Sequence, residues 1–175
     1  MLRISIRIHC LTGDFADYTH QARVISTAGA CASRLRGDRL MIEGGCLCGK
    51  LRYKIKSTPL ATVVCHCRDC QKQSGSAFSV NLVVPMADIE ITGTETAFHC
   101  IGESGGKVER RFCADCGSPI RSLLGNMPGI AAIKAGTLDI PPTQTPNMQI
   151  WRRSAQGWLD KLPARASFET SPPAA

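Results

Sequence analysis

Eight of the ten cysteines of this 175-residue chain fall between residues 46 and 116, and seven of them sit in tight clusters. The clusters are Cys46-Leu47-Cys48, Cys65-His66-Cys67-Arg68-Asp69-Cys70 and Cys113-Ala114-Asp115-Cys116; Cys100 stands alone. Disulfides suit this spacing badly, because a Cys-x-Cys bridge closes a small strained ring. Metal suits it well, because short Cys-x-Cys and Cys-x-x-Cys loops let two thiolates converge on one ion. Zinc is the default for such a thiolate set, with iron–sulfur open on ligand type alone.

Cys46-Leu47-Cys48-Gly49 reads as a knuckle entering a strand, and Cys113-Ala114-Asp115-Cys116-Gly117 as a knuckle leaving one. Two such pairs make a closed site of four thiolates that ties the start of the domain to its later half. Cys65, Cys67 and Cys70 are left with three ligands, and three protein ligands plus an open position is the arrangement of a catalytic zinc. The alternative is a structural site completed by His66, His99 or Cys100. His66 lies between two ligands and is expected to point away from them. His99 and Cys100 are neighbours on an expected strand, so at most one can face the site.

The elements that must hold these residues are mostly strands. Lys50–Lys56 alternates polar and apolar residues, the period of a half-buried strand. Further strands are expected over 60–64, 77–84, 89–92, 96–101, 107–112, 119–124, 129–134 and 149–151, with Gly102–Gly106 as a hairpin turn. Arg68–Ser74 is the one short helix, closed by Gly75. Residues 1–41 lack periodicity and read as a disordered extension or an over-long start assignment. Residues 42–162 form the domain, and the small, Pro-rich stretch 163–175 reads as a flexible tail.

The net charge of +7 divides into +3 over residues 1–41 and +4 over the remainder. Neither part has the cationic blocks interleaved with aromatics that a nucleic-acid surface requires. No stretch approaches the roughly 20 apolar residues of a membrane span, and the N-terminus lacks the apolar region of a secretory signal. The expectation is a cytoplasmic protein with reduced thiols.

The motifs Gly44-Gly45-Cys46-Leu47-Cys48-Gly49, Leu51-Arg52-Tyr53, Cys65-His66-Cys67-Arg68-Asp69-Cys70, Ser74-Gly75-Ser76-Ala77-Phe78 and Arg111-Phe112-Cys113-Ala114-Asp115-Cys116-Gly117-Ser118 stand here in order. With Gly136-Thr137-Leu138-Asp139, Ile150-Trp151 and Trp158, they resemble the family of glutathione-dependent formaldehyde-activating enzymes and centromere protein V over residues 42–160. The resemblance implies a β-tent fold: short, coiled antiparallel sheets stapled by zinc, with little helix. It implies two Zn²⁺ sites, a structural one at Cys46, Cys48, Cys113 and Cys116 and a catalytic one at Cys65, Cys67 and Cys70. It also implies carbon–sulfur lyase chemistry on glutathione or a similar thiol and formaldehyde or a related small aldehyde.

Glutathione carries two carboxylates, so a cationic rim is expected, and Arg68, Lys72 and Arg111 are the candidates. Ser74, Gly75 and Ser76 either line a ligand pocket or stop the helix, and Phe78, Trp151 and Trp158 are expected as core or cover. Two other readings compete: a non-catalytic zinc module for protein or nucleic-acid contact, and a thiol-based methionine sulfoxide reductase on a similar zinc fold with Cys100 as nucleophile. The roles of Cys10, Cys31 and Cys100 stay open.

Overall fold

The computed structural model describes residues 41–143, 145–159 and 163–172. Residues 1–40, with Cys10 and Cys31, lie outside the described residues, as do 144, 160–162 and 173–175. Among the described residues, eleven strands and one α-helix, besides four short 3-10 turns, run in the order β1 (Ile42–Gly45), β2 (Arg52–Ile55), β3 (Ala61–Cys65), α1 (Arg68–Ser74), β4 (Ser79–Pro85), β5 (Ile89–Thr92), β6 (Glu95–Ile101), β7 (Lys107–Cys113), β8 (Pro119–Leu124), β9 (Ile130–Lys134), β10 (Met148–Ile150) and β11 (Ala166–Ser167). They form a three-stranded sheet, β1-β2-β5, and an eight-stranded sheet, β11-β10-β3-β4-β9-β8-β7-β6. The protein is therefore mostly β, as expected. No helix among the described residues is long and apolar enough to cross a membrane.

Leu51, Tyr53 and Ile55 pack with Leu82, Val84, Ile120, Ala131 and Ile133 in one buried cluster that also takes in Cys46 and Cys113. Partners across a ladder share a face, and so do residues two apart on one strand. Leu82 stands opposite Ile133, so both face this core. Their neighbours Asn81 and Lys134, also paired, face the other way. The large sheet thus has an apolar face carrying the main core and a polar face on which α1 lies.

Ile120 reaches the apolar face through a bulge. The β7–β8 register shifts between Arg111 and Phe112, so that Arg111 pairs with Arg121 but Phe112 with Pro119. The extra residue is Ile120, fully buried, and the irregularity turns it into the core.

The ladders are antiparallel except at one edge, where β10 runs parallel to β3 and to β11. The long connection from β9 lets the chain enter β10 from the same end as β3. The stretch expected as a flexible tail is in part ordered against this edge. Ala166 and Phe168 donate their N–H groups to Asn147 and Gln149, and Trp151 donates to Thr170. These bonds satisfy backbone groups that an edge strand would leave open.

Candidate metal centres

Cys46, Cys48, Cys113 and Cys116 bring their four Sγ atoms within 4.8 Å of one another. The two knuckles are built alike. Gly49 donates to the Cys46 carbonyl at 3.1 Å, and Gly117 to the Cys113 carbonyl at 3.0 Å. Both glycines have φ above 70°, the left-handed region where a side chain is strained. Lys50 and Asp115 join the knuckles through an ion pair at 2.7 Å, and the Leu47 N–H donates to Ser118 Oγ at 3.0 Å.

This donor set fits a tetrahedral ion. The Cys46–Cys48 and Cys48–Cys113 sulfur separations are 3.4 and 3.8 Å, close to the edge of about 3.8 Å that metal–sulfur bonds of about 2.3 Å produce. The Leu51 N–H points at Cys46 Sγ at 3.3 Å. The Ser118 hydroxyl, 3.2 Å from Cys116 Sγ, and the Ser118 backbone hold that thiol down to about 5.

Cys65, Cys67 and Cys70 form a second group with sulfurs within 4.8 Å of one another, all three buried. Cys65 is the last residue of β3, Cys67 is the N-cap of α1, and Cys70 lies in its first turn. Cys67 Sγ accepts from the Cys70 N–H at 3.3 Å, so the cap itself aims two of the sulfurs. Hydrogen bonds from Cys65 and then Cys67 press the Cys70 thiol down to about 2. Hydrogen bonds with Cys67 and then Cys70, together with burial, push the Cys65 thiol up.

Among the described residues, no fourth His, Cys, Asp or Glu joins this group. His66 points elsewhere: its Nε2–H donates to Gln149 Oε1 at 2.8 Å in a buried contact. Gln71 clamps the same segment by donating to the carbonyls of His66 and Ser154 at 2.6 and 2.8 Å. Trp151 and Ile150 pack against the three cysteines as cover. Ser74 donates to the Cys70 carbonyl at 2.7 Å and Gly75 takes the left-handed C-cap, so both act in ending the helix.

The three residues expected as a cationic rim lie in different surroundings. Arg111 shares the face of Cys113, away from α1, and pairs with Glu109 and with Glu95 at 3.5 Å. Arg68 turns to Gln71 Oε1 at 2.5 Å. Lys72 does line a groove of about 600 Å³, together with Gln73, Phe98, Cys100, Arg110 and Phe112. Arg110, one residue before the expected arginine, is nearly buried and donates to Gln73 Oε1 at 3.0 Å and Asp69 Oδ2 at 3.4 Å. Burial works to lower its pKa, but the Cys100 and Cys70 sulfurs hold it above the ordinary value. Arg110 therefore stands between the groove and the three-thiol group.

Sequence reasoning passed over Arg110 and Lys134, and strand parity held the signal for the first. Counting back from Cys113, which must face the four-thiol site, places Arg111 on that face and Arg110 on the other. Lys134 ends an apolar run and carried no mark of its position.

Two separate cysteine groups on a β-rich scaffold, one of four thiols and one of three with no fourth His, Cys, Asp or Glu among the described residues, could each hold a metal ion. The profile described as glutathione-dependent formaldehyde-activating enzyme matches residues 41–154, and the chain belongs to that family. A Fusarium vanettenii protein named "Putative glutathione-dependent formaldehyde-activating enzyme" is 31% identical over 78 residues, covering 39% of this chain and 41% of that protein. A Halomonas elongata protein of the same name is 29% identical over 86 residues, covering 46% and 55%. The matches thus span about half or less of these relatives. A crystal structure of a Rhodobacter sphaeroides protein aligns with a TM-score of 0.47 at 17% identity, over 58% of this chain and 91% of that one.

Proposed function

We propose that the chain is a zinc-dependent carbon–sulfur lyase that forms and cleaves the S-hydroxymethyl adduct of glutathione, or a similar thiol, with formaldehyde or a related small aldehyde. The observation that carries this reading is the buried three-thiol group, which has no fourth His, Cys, Asp or Glu among the described residues and is linked through Arg110 to a groove that Lys72 also lines. The names of the relatives support it.

Cys65, Cys67 and Cys70 would hold a zinc ion, which would supply the acidity that favours a thiolate over a thiol near neutral pH. The chain's own residues do the rest. Arg110 and Lys72 offer charge-assisted donors to the carboxylates of the thiol substrate. Phe98 and Phe112 give the groove apolar walls, and Trp151 covers the cysteines on another side. In the forward direction the sulfur–carbon bond forms as the carbonyl π bond breaks. The thiol proton goes to solvent and the new alkoxide oxygen takes one from solvent. Holding sulfur and aldehyde carbon together supplies much of the acceleration. Cys46, Cys48, Cys113 and Cys116 hold the structural zinc. A reducing cytoplasm is the compartment these free thiols suit.

Magnetisation exchange between formaldehyde hydrate and S-hydroxymethylglutathione, followed by NMR, tests the assignment. The protein should accelerate exchange above the buffer rate, and Cys67→Ser should return it to that rate. A Cys67→Ser protein with full turnover would refute the role of the three-thiol group.

A further inference from the structure

Lys134 is 5% exposed, and its ammonium donates to two neutral groups, Ser79 Oγ at 3.1 Å and Asn81 Oδ1 at 3.0 Å. Among the described residues, no carboxylate pairs with it. A lysine buried this deeply without a counter-ion is rare, because an uncompensated charge in the interior is costly.

The sheet register shows which groups share its face. Lys134 stands opposite Asn81 in the β4–β9 ladder, and Ser79 stands opposite Cys65 in the β3–β4 ladder. Asn81 and Ser79 are two apart on β4, so Lys134, Asn81, Ser79 and Cys65 share the polar face of the large sheet. Burial, with Arg110 nearby, holds the Lys134 pKa below the ordinary lysine value, and the Cys70, Cys65 and Cys67 sulfurs oppose that lowering in part. The other buried cation, Arg110, has the Asp69 carboxylate 3.4 Å away and is partly compensated already.

We propose, resting on the reading of the three-thiol group as the open zinc site, that Lys134 is its fixed counter-charge and a positioning residue that makes it prefer an anionic fourth ligand. Three thiolates and a divalent ion carry one net negative charge, and Lys134 cancels it. An incoming thiolate then meets a neutral centre rather than an anionic one. Without Lys134 the same thiolate joins a centre that already repels it, while a neutral ligand pays no such penalty. Ser79 and Asn81 serve by holding the ammonium in place under the sheet.

The test uses the full chain loaded with Co²⁺, whose thiolate-to-cobalt absorption reports the ligands. Wild type, Lys134→Met, Lys134→Gln and Lys134→Arg are titrated with 2-mercaptoethanol, which has no carboxylate, and with imidazole, which is neutral. Cobalt content is measured for each variant. The expected result is that Lys134→Met weakens 2-mercaptoethanol by at least about tenfold, moves imidazole by less than about threefold, and that Lys134→Arg restores most of the loss. Lys134→Gln keeps a polar end for Ser79 and Asn81 and should reproduce the Met result should the Met variant not fold. Equal weakening of both ligands, unchanged thiol binding in both uncharged variants, or no thiol binding by wild type overturns the proposal. Lys134-dependent thiol binding by a protein that does not accelerate glutathione–formaldehyde exchange overturns the assigned reaction instead and leaves the counter-charge role supported.

Discussion

His66 Nε2 and Gln149 Oε1 meet at 2.8 Å with both side chains almost wholly removed from solvent. This contact ties the residue between Cys65 and Cys67 to β10, the strand that runs parallel to β3. It turns His66 away from the sulfurs and fixes the direction of Cys65 and Cys67. Gln149→Leu leaves the His66 donor buried without that partner. The expected cost is about 1–3 kcal/mol in urea unfolding, with weaker metal retention at the three-thiol group than at the four-thiol group.

The two thiol groups should fail differently. Cys113→Ser opens a site that joins the end of β1 to the end of β7, so the whole domain should lose more than about 3 kcal/mol. Cys67→Ser removes a ligand beside α1 and should leave the main apolar cluster intact. Thermal unfolding with metal analysis separates the two: one ion lost in each case, with cooperative unfolding near the wild-type temperature only for Cys67→Ser.

Arg110 and Arg111 are consecutive on β7 and face opposite ways. Arg110→Met should raise KM for glutathione by about tenfold, the loss of one charge-assisted contact, because Arg110 edges the groove. Arg111→Met removes pairings with Glu95 and Glu109 on the other face and should act on stability, with KM near wild type. Steady-state kinetics with purified variants decide, and the reverse pattern would return the thiol substrate to the Arg111 face.

Tyr53 gives a pH signature. Burial raises its pKa to about 12, with its hydroxyl 2.8 Å from Thr137 Oγ1. A group whose folded pKa lies above its unfolded value gives stability that is complete below the unfolded pKa, about 10 for tyrosine. That stability is lost as pH rises through the folded value. Unfolding free energy should therefore fall by about 2–3 kcal/mol between pH 10 and 12. Tyr53→Phe should lack this part of the alkaline loss when both proteins are compared across that window.

Gly44 tests the same contact from the other side. A Cβ there would sit 2.3 Å from Tyr53 Oη and 2.4 Å from the Thr137 carbonyl oxygen. The carbonyl belongs to the backbone and cannot swing away. Gly44→Ala should destabilise by about 1–3 kcal/mol, the usual range for overpacking, measurable by urea unfolding.

Much of this architecture could be read from local pattern. Ile89–Thr92 alternates and is a strand over those residues, as is Pro119–Leu124. Arg68–Ser74 is a helix because Cys67 caps one end and Gly75 leaves it at φ 61°. The thiol groupings were legible because ligand spacing is itself a local pattern. What escaped depends on long-range register. The bulge that buries Ile120, the polar face shared by Lys134 and Cys65, and the pairing of Ala166 beside Met148 are set by strands far apart in the chain. No local window contains both partners, so composition alone read residues 163–175 as a tail.

The central claim is that two ions are held by separate sets of four and three thiolates. Elemental analysis of reduced, tag-free protein tests it most directly. The account predicts two zinc equivalents per chain in wild type and one in Cys67→Ser. Wild-type protein without bound metal, or with these cysteines joined to one another as disulfides, would contradict it.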